Sequence, residues 1–114
     1  MSTILLVLES EPFRYALTDE LKSHFQIIAA EDAASGAAML QARPEILLLD
    51  LLLPETDGFR FLEDNFELLP PTIVLFTRLT NPQILQTASD LGVSAMYMMP
   101  CSILAVRKYL QGQP

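Results

Sequence analysis

The sequence predicts an α/β domain, a parallel sheet with helices on both faces. Three observations lead there. Five short apolar runs alternate with five segments of helical spacing, one pair roughly every 20 residues. Strict alternation of this kind implies parallel strands, because each helix returns the chain across the sheet. The central run, Ile46–Leu49, is short, continuous and bounded by turn residues, which marks a buried strand. That run ends in Asp50, a carboxylate at the carboxyl end of a strand, where open α/β sheets keep their ligand sites.

Each element has its own signals. Thr3–Leu8 is apolar and β-compatible, and reads as the first strand. Pro12 at a first helical position, with Ser10 or Glu11 as cap, opens a helix whose Phe13, Leu17 and Leu21 repeat at helical spacing to about Ser23. Phe25–Ala29 is a short second strand. Asp32 caps a helix over Ala33–Gln41, in which Ala37, Ala38 and Leu40 are expected to pack and the small residues allow close approach to the sheet. Arg43-Pro44 breaks it, and Ile46–Asp50 is the third strand.

Gly58 opens a helix carrying Phe59, Phe61, Leu62 and Phe66, stopped by Pro70-Pro71. Thr72–Phe76 is the fourth strand. Asn81-Pro82 is a cap followed by proline at the first helical position, and the helix runs through Ile84, Leu85 and Ala88 to Leu91, with Gly92 as its stop. Ala95–Met99 is the fifth strand. Ser102 then caps a last helix through Ile103, Val106 and Leu110.

Composition excludes several classes. A chain of 114 residues is one domain, and 51% hydrophobic content supplies a core. No apolar run nears the roughly 18 residues of a membrane helix. The first ten residues lack a basic leader and a cleavage site, so they read as a strand rather than a signal peptide. One cysteine, Cys101, makes no internal disulfide, which fits a reducing cytoplasm. The net charge of −7, without a basic patch, argues against nucleic-acid binding.

In a parallel sheet all the carboxyl ends lie along one edge. Glu9 and Ser10, Asp50, Thr77 and Arg78, and Met99-Pro100 therefore converge on one crevice. His24 has no second ligand near it in sequence, Cys101 has no activating partner, and Met96-Tyr97-Met98-Met99 reads as core and interface packing.

At these residues the chain resembles the response-regulator receiver domains of two-component signalling, the CheY-like family, over essentially its whole length. Asp50, Pro54, Asp57 and Gly58 match the family's stretch of an aspartate ending the third strand, a proline four residues on, and Asp-Gly after it. Thr77 matches the hydroxyl ending the fourth strand, and Leu91-Gly92 and Pro100 match the spacing around the fifth. The resemblance implies a single receiver-like domain over residues 1–114 with no output domain. It implies a doubly wound, flavodoxin-type sheet of five strands in order 2-1-3-4-5 with five helices, and phosphoryl transfer to Asp50 from a sensor histidine kinase or another signalling protein. Pro54, Asp57, Gly58 and Pro100 are then structural turn residues, and no residue of the chain is catalytic.

The match departs from the family at four points. Glu9 and Ser10 stand where the family has two acids, so Glu9 is left as a weak metal ligand and Mg²⁺ binding is expected to be poor. Met99 replaces the lysine before Pro100 and offers no charge to an oxyanion. Met96 stands at the switch aromatic, and Tyr97, one residue later, faces the other side. Arg78 follows Thr77 in place of a small residue, within reach of Asp50.

The expectation is an atypical, cytoplasmic, non-enzymatic receiver. It would act by protein contact through the fourth helix, fifth strand and fifth helix, a homodimer through that face included. A flavodoxin-type flavin or nucleotide protein is the alternative, opposed by the acidic, glycine-free Glu9-Ser10-Glu11 loop. A haloacid-type hydrolase would need a second aspartate where Leu52 stands.

Overall fold

The structure, a computed structural model, describes residues 1–113. Five strands form one parallel sheet: β1 (Thr3–Val7), β2 (Gln26–Ala30), β3 (Ile46–Asp50), β4 (Thr72–Thr77) and β5 (Ala95–Met98). Their order is β2-β1-β3-β4-β5, which is the order that the resemblance implied. Four helices connect them, α1 (Glu11–Leu21), α2 (Ala33–Met39), α3 (Gly58–Asp64) and α4 (Pro82–Asp90), and α5 (Ile103–Gln111) follows the last strand.

Alternate residues of the strands build two cores. Leu5, Val7, Leu47, Leu49, Ile73 and Leu75 face α2, α3 and α4. Ile4, Leu6, Ile46, Leu48, Val74 and Phe76 face α1 and α5. The three central strands are thus buried on both sides, the environment in which an unbroken apolar run is stable. At roughly 1.5–3 kcal/mol per fully buried large side chain, these strands carry much of the folding free energy.

Side-chain caps set the helix starts. Ser10, Asp32, Asp57, Asn81 and Ser102 each accept a hydrogen bond from a backbone N–H in the first turn, at 3.4, 2.8, 2.9, 3.0 and 3.1 Å. Gly92 ends α4 at φ +84°, a conformation that costs a side chain about 1–2 kcal/mol.

Several local readings change. Pro12 is the second helical residue rather than the first, because Glu11 already belongs to α1. The helix after Asp32 turns 3₁₀ at Leu40–Ala42, and Arg43 closes it at φ 56°. Within it Ala38 faces solvent, one position off the packed stripe, while Leu40 is buried. α3 ends at Asp64; Phe66 falls in a separate 3₁₀ turn and is 70% exposed, so it adds nothing to the core.

Between β3 and α3 lies a small antiparallel ribbon, Leu52–Leu53 with Thr56–Asp57. Its two-residue turn has Pro54 at the first position and Glu55 at the second, with φ +69°. Proline followed by a positive φ is the type II arrangement, which ordinarily asks for glycine second.

Candidate functional site

Asp50 ends β3 and is half-buried at the carboxyl edge of the sheet. Its Oδ2 accepts a hydrogen bond from the Glu9 N–H at 2.9 Å, across from the loop after β1. Burial pushes the Asp50 carboxyl above its ordinary range. The Glu9 N–H bond opposes that push, the Glu9 charge adds to it, and the Arg78 charge works against it.

A cleft of about 430 Å³ opens at this edge, lined by Glu9, Ser10, Asp50, Thr77, Arg78 and Met99 together with Phe13, Leu52 and Phe76. The groups that the sequence placed at strand ends therefore share one crevice, except Pro100, which does not line it. Ser10 is exposed, and its hydroxyl caps α1 through the Phe13 N–H. Thr77 is buried, and its hydroxyl both accepts from the Leu79 N–H (2.9 Å) and donates to the Leu79 carbonyl (3.2 Å). Arg78 is exposed on the cleft rim. Met99 donates its N–H to the Thr77 carbonyl at 2.8 Å, ahead of a cis bond to Pro100.

Asp57 and Gly58 position Asp50 from below. Asp57 caps α3. Gly58 donates its N–H to the Leu51 carbonyl at 2.6 Å, and a Cβ built on it would lie 2.6 Å from the Asp50 carbonyl oxygen. Only glycine allows α3 to start this close to the end of β3. Pro54 is exposed at the ribbon turn and does not line the cleft.

The sequence reading missed Arg14. Its side chain is 17% exposed, and the guanidinium donates through Nη1 to the carbonyls of Leu8 (2.7 Å) and Glu9 (3.2 Å), with Nη2 3.9 Å from Glu31. The signal was present: Arg14 falls in register with Leu17 and Leu21 on the inner stripe of α1, where a cation needs a partner. The apolar walls Phe13, Leu52 and Phe76 were also not foreseen as site residues.

On β5, Met96 packs toward α2–α4 while Tyr97 packs on the α1–α5 side. There the Tyr97 ring stacks on Phe76 at 5.9 Å and meets Tyr109 at 6.4 Å; Phe13 meets Phe76 edge-on at 5.2 Å. The period of two along a strand puts the two residues on opposite faces. Cys101 is partly buried, which raises its thiol pKa, and His24 is exposed.

This is the CheY-like fold, a doubly wound five-stranded parallel sheet whose strand ends open on one cleft. The chain superposes on chemotaxis protein CheY4 of Vibrio cholerae with a TM-score of 0.84, over 97% of both chains at 23% identity. It superposes on a CheY-like response-regulator receiver domain protein of Methanospirillum hungatei with a TM-score of 0.89, over 97% of this chain and 91% of that one at 19% identity. The chain also has partial relatives in sequence. The chain is 32% identical over 101 residues to a protein-glutamate methylesterase/protein-glutamine glutaminase of Vibrio vulnificus, covering 85% of this chain and 29% of that protein. It is 36% identical over 62 residues to protein PilH of Pseudomonas aeruginosa, covering 53% of this chain and 51% of PilH. The chain thus spans under a third of the methylesterase relative and about half of PilH. No family model matches it. Among the described residues no helix is long and apolar enough to cross a membrane.

Proposed function

We propose that this chain is a two-component receiver module with Asp50 at the phosphoacceptor position, weak in cation binding, that regulates a partner by direct contact. The observation that carries the reading is the Asp50 carboxylate. One oxygen is tied to the Glu9 N–H, and the group sits at the end of the central strand beside an open cleft. In the reaction such a site serves, a carboxylate oxygen attacks phosphorus, an acyl phosphate forms, and the leaving group departs with the electron pair of the broken bond. Little covalent chemistry is asked of the protein, which works by positioning and charge neutralisation.

The charge-neutralising parts are thin here. Mg²⁺ favours several oxygen ligands, carboxylates above all. Glu9 and Asp50 are the two carboxylates of the cleft, the Ser10 hydroxyl is committed to capping α1, and no three acid, His or Cys side chains cluster to hold a metal among the described residues. This donor set fits a tightly held cation poorly. Met99 brings no charge, so Arg78, whose field already reaches Asp50, is the group we assign to the phosphoryl oxygens. Thr77 would have to release Leu79 to join it.

Contact runs through the face of α4, β5 and α5, where Leu85, Met98 and Leu104 are 51, 55 and 46% exposed. A sensor histidine kinase, a cytoplasmic signalling protein or a second copy of the chain is the partner class. Esterase or glutaminase activity belongs to the relatives so named.

The test is incubation with a small phosphodonor and Mg²⁺, followed by intact mass, with Asp50→Asn as control. A slow, sub-stoichiometric adduct at most is expected, absent in the control. Full, Mg²⁺-dependent modification would overturn the weakened-site reading. An adduct that persists in Asp50→Asn would overturn the assignment of Asp50.

A further inference from the structure

The Leu8 carbonyl and the Glu9 N–H are the two ends of one peptide unit. Arg14 Nη1 holds the carbonyl end at 2.7 Å, and Asp50 Oδ2 holds the N–H end at 2.9 Å. A trans peptide is planar, so its C=O and N–H point in opposite directions and fixing one fixes the other. The same Nη1 also reaches the Glu9 carbonyl at 3.2 Å, which pins the following peptide. Arg14 therefore has two grips on the loop that presents the Glu9 N–H.

We propose that Arg14 is a positioning residue for Asp50, acting through the Leu8–Glu9 peptide. The guanidinium sets the plane of that peptide and so aims its N–H at Oδ2. A cation on the carbonyl oxygen also polarises the peptide, making its N–H a better donor to a carboxylate. Arg14 thereby joins a positive charge to a negative one without touching it. The effect holds one Asp50 oxygen in place and leaves the other to react. As a statement about phosphoryl transfer this rests on the reading above; as a statement about geometry it does not.

Other features make Arg14 suited to the part. The side chain is mostly covered, so its bonds face little competition from water. Its approach to Glu31 at 3.9 Å is long and Glu31 is 72% exposed, so the carbonyl bonds rather than the ion pair fix the guanidinium.

The experiment follows the Glu9 amide by ¹⁵N NMR, through its proton shift and its hydrogen exchange. Asp50→Ala removes the acceptor and calibrates the unbonded Glu9 amide. In Arg14→Met the Glu9 proton is expected to move at least halfway to that value, and its protection to fall about tenfold, the size of one net hydrogen bond. The amides of Leu47–Leu49 in β3 should keep theirs. Arg14→Lys, with a single ammonium in place of a fork, should fall between parent and Arg14→Met.

A Glu9 amide unchanged in Arg14→Met would overturn the proposal. So would an equal loss of protection at Glu9 and throughout β3, because Arg14 would then be a general brace. If Arg14→Met does not fold, Arg14→Lys decides by the same comparison. None of these readouts needs a phosphoryl group, so an adduct that persists in Asp50→Asn would sink the functional reading and leave this one standing.

Discussion

Replacing Gly58 by alanine is the sharpest test of how the site is built. The added Cβ would lie 2.6 Å from the Asp50 carbonyl oxygen, 3.2 Å from Leu51 Cα and 3.3 Å from Leu49 Cδ2. Two of these neighbours are backbone of the strand end that carries Asp50, so no rotamer change relieves the contact. Overpacking of this kind costs about 1–3 kcal/mol, and a backbone clash belongs near the upper end. The helix propensity of alanine returns at most about 1 kcal/mol. The net loss is then about 2 kcal/mol. With about 2.1 cal/mol/K of unfolding entropy per residue, that lowers the Tm of a chain this size by roughly 8 °C.

Scanning calorimetry on parent and variant measures the shift, and ¹⁵N–¹H spectra should show the largest displacements at Asp50, Leu51 and Glu9. Gly92→Ala is the internal comparison. No atom lies within 4 Å of its Cβ, so its cost is the left-handed φ alone and its spectral changes should stay near the end of α4. A Gly58→Ala variant within about 0.5 kcal/mol of the parent, with the Asp50 neighbourhood unmoved, would refute the close-approach argument.

Three more outcomes follow from the charges and caps. Burial raises the Asp50 pKa in the fold, so its ionisation opposes folding, and that cost is absent below the unfolded pKa and grows as pH rises through the folded one. Asp50→Asn should therefore stabilise the protein at pH 7, with the gain shrinking toward pH 4 in urea titrations at the two pH values. Arg78→Ala should raise the Asp50 pKa further, read by ¹³C NMR titration of the carboxyl; an unmoved midpoint would end any role for Arg78 at this site. Asn81→Ala removes the cap on Ile84 N–H and should cost about 1 kcal/mol by chemical denaturation.

The fold was legible because its signals are local and agree with one another. Apolar runs, proline breaks and side-chain caps each mark a boundary, and their alternation leaves one sheet type. The convergence of Glu9, Ser10, Asp50, Thr77, Arg78 and Met99 on one cleft followed from topology alone. Hydrogen-bond choices were not legible. The hydroxyls of Ser10 and Thr77 each have two employments open, one toward the site and one toward the nearest backbone, and sequence does not rank them. The ribbon at Leu52–Asp57 escaped notice because Glu55 adopts a positive φ without being glycine. Phe66 misled because helical spacing was carried one turn too far, past Asn65, where the chain turns outward.

The rings of Phe13, Phe76, Tyr97 and Tyr109 have a practical consequence for spectroscopy. The chain has no tryptophan and three tyrosines, two of which stand in that series. Phe13 and Phe76 form the wall of the cleft, and Tyr109 sits on α5. Ultraviolet emission from the unmodified protein is thus weighted toward one side of the sheet, and Tyr15, exposed on α1, is the natural residue to replace to sharpen it. A Tyr15→Phe protein would report optically on the packing of Tyr97 and Tyr109 beside Phe76, with no dye attached.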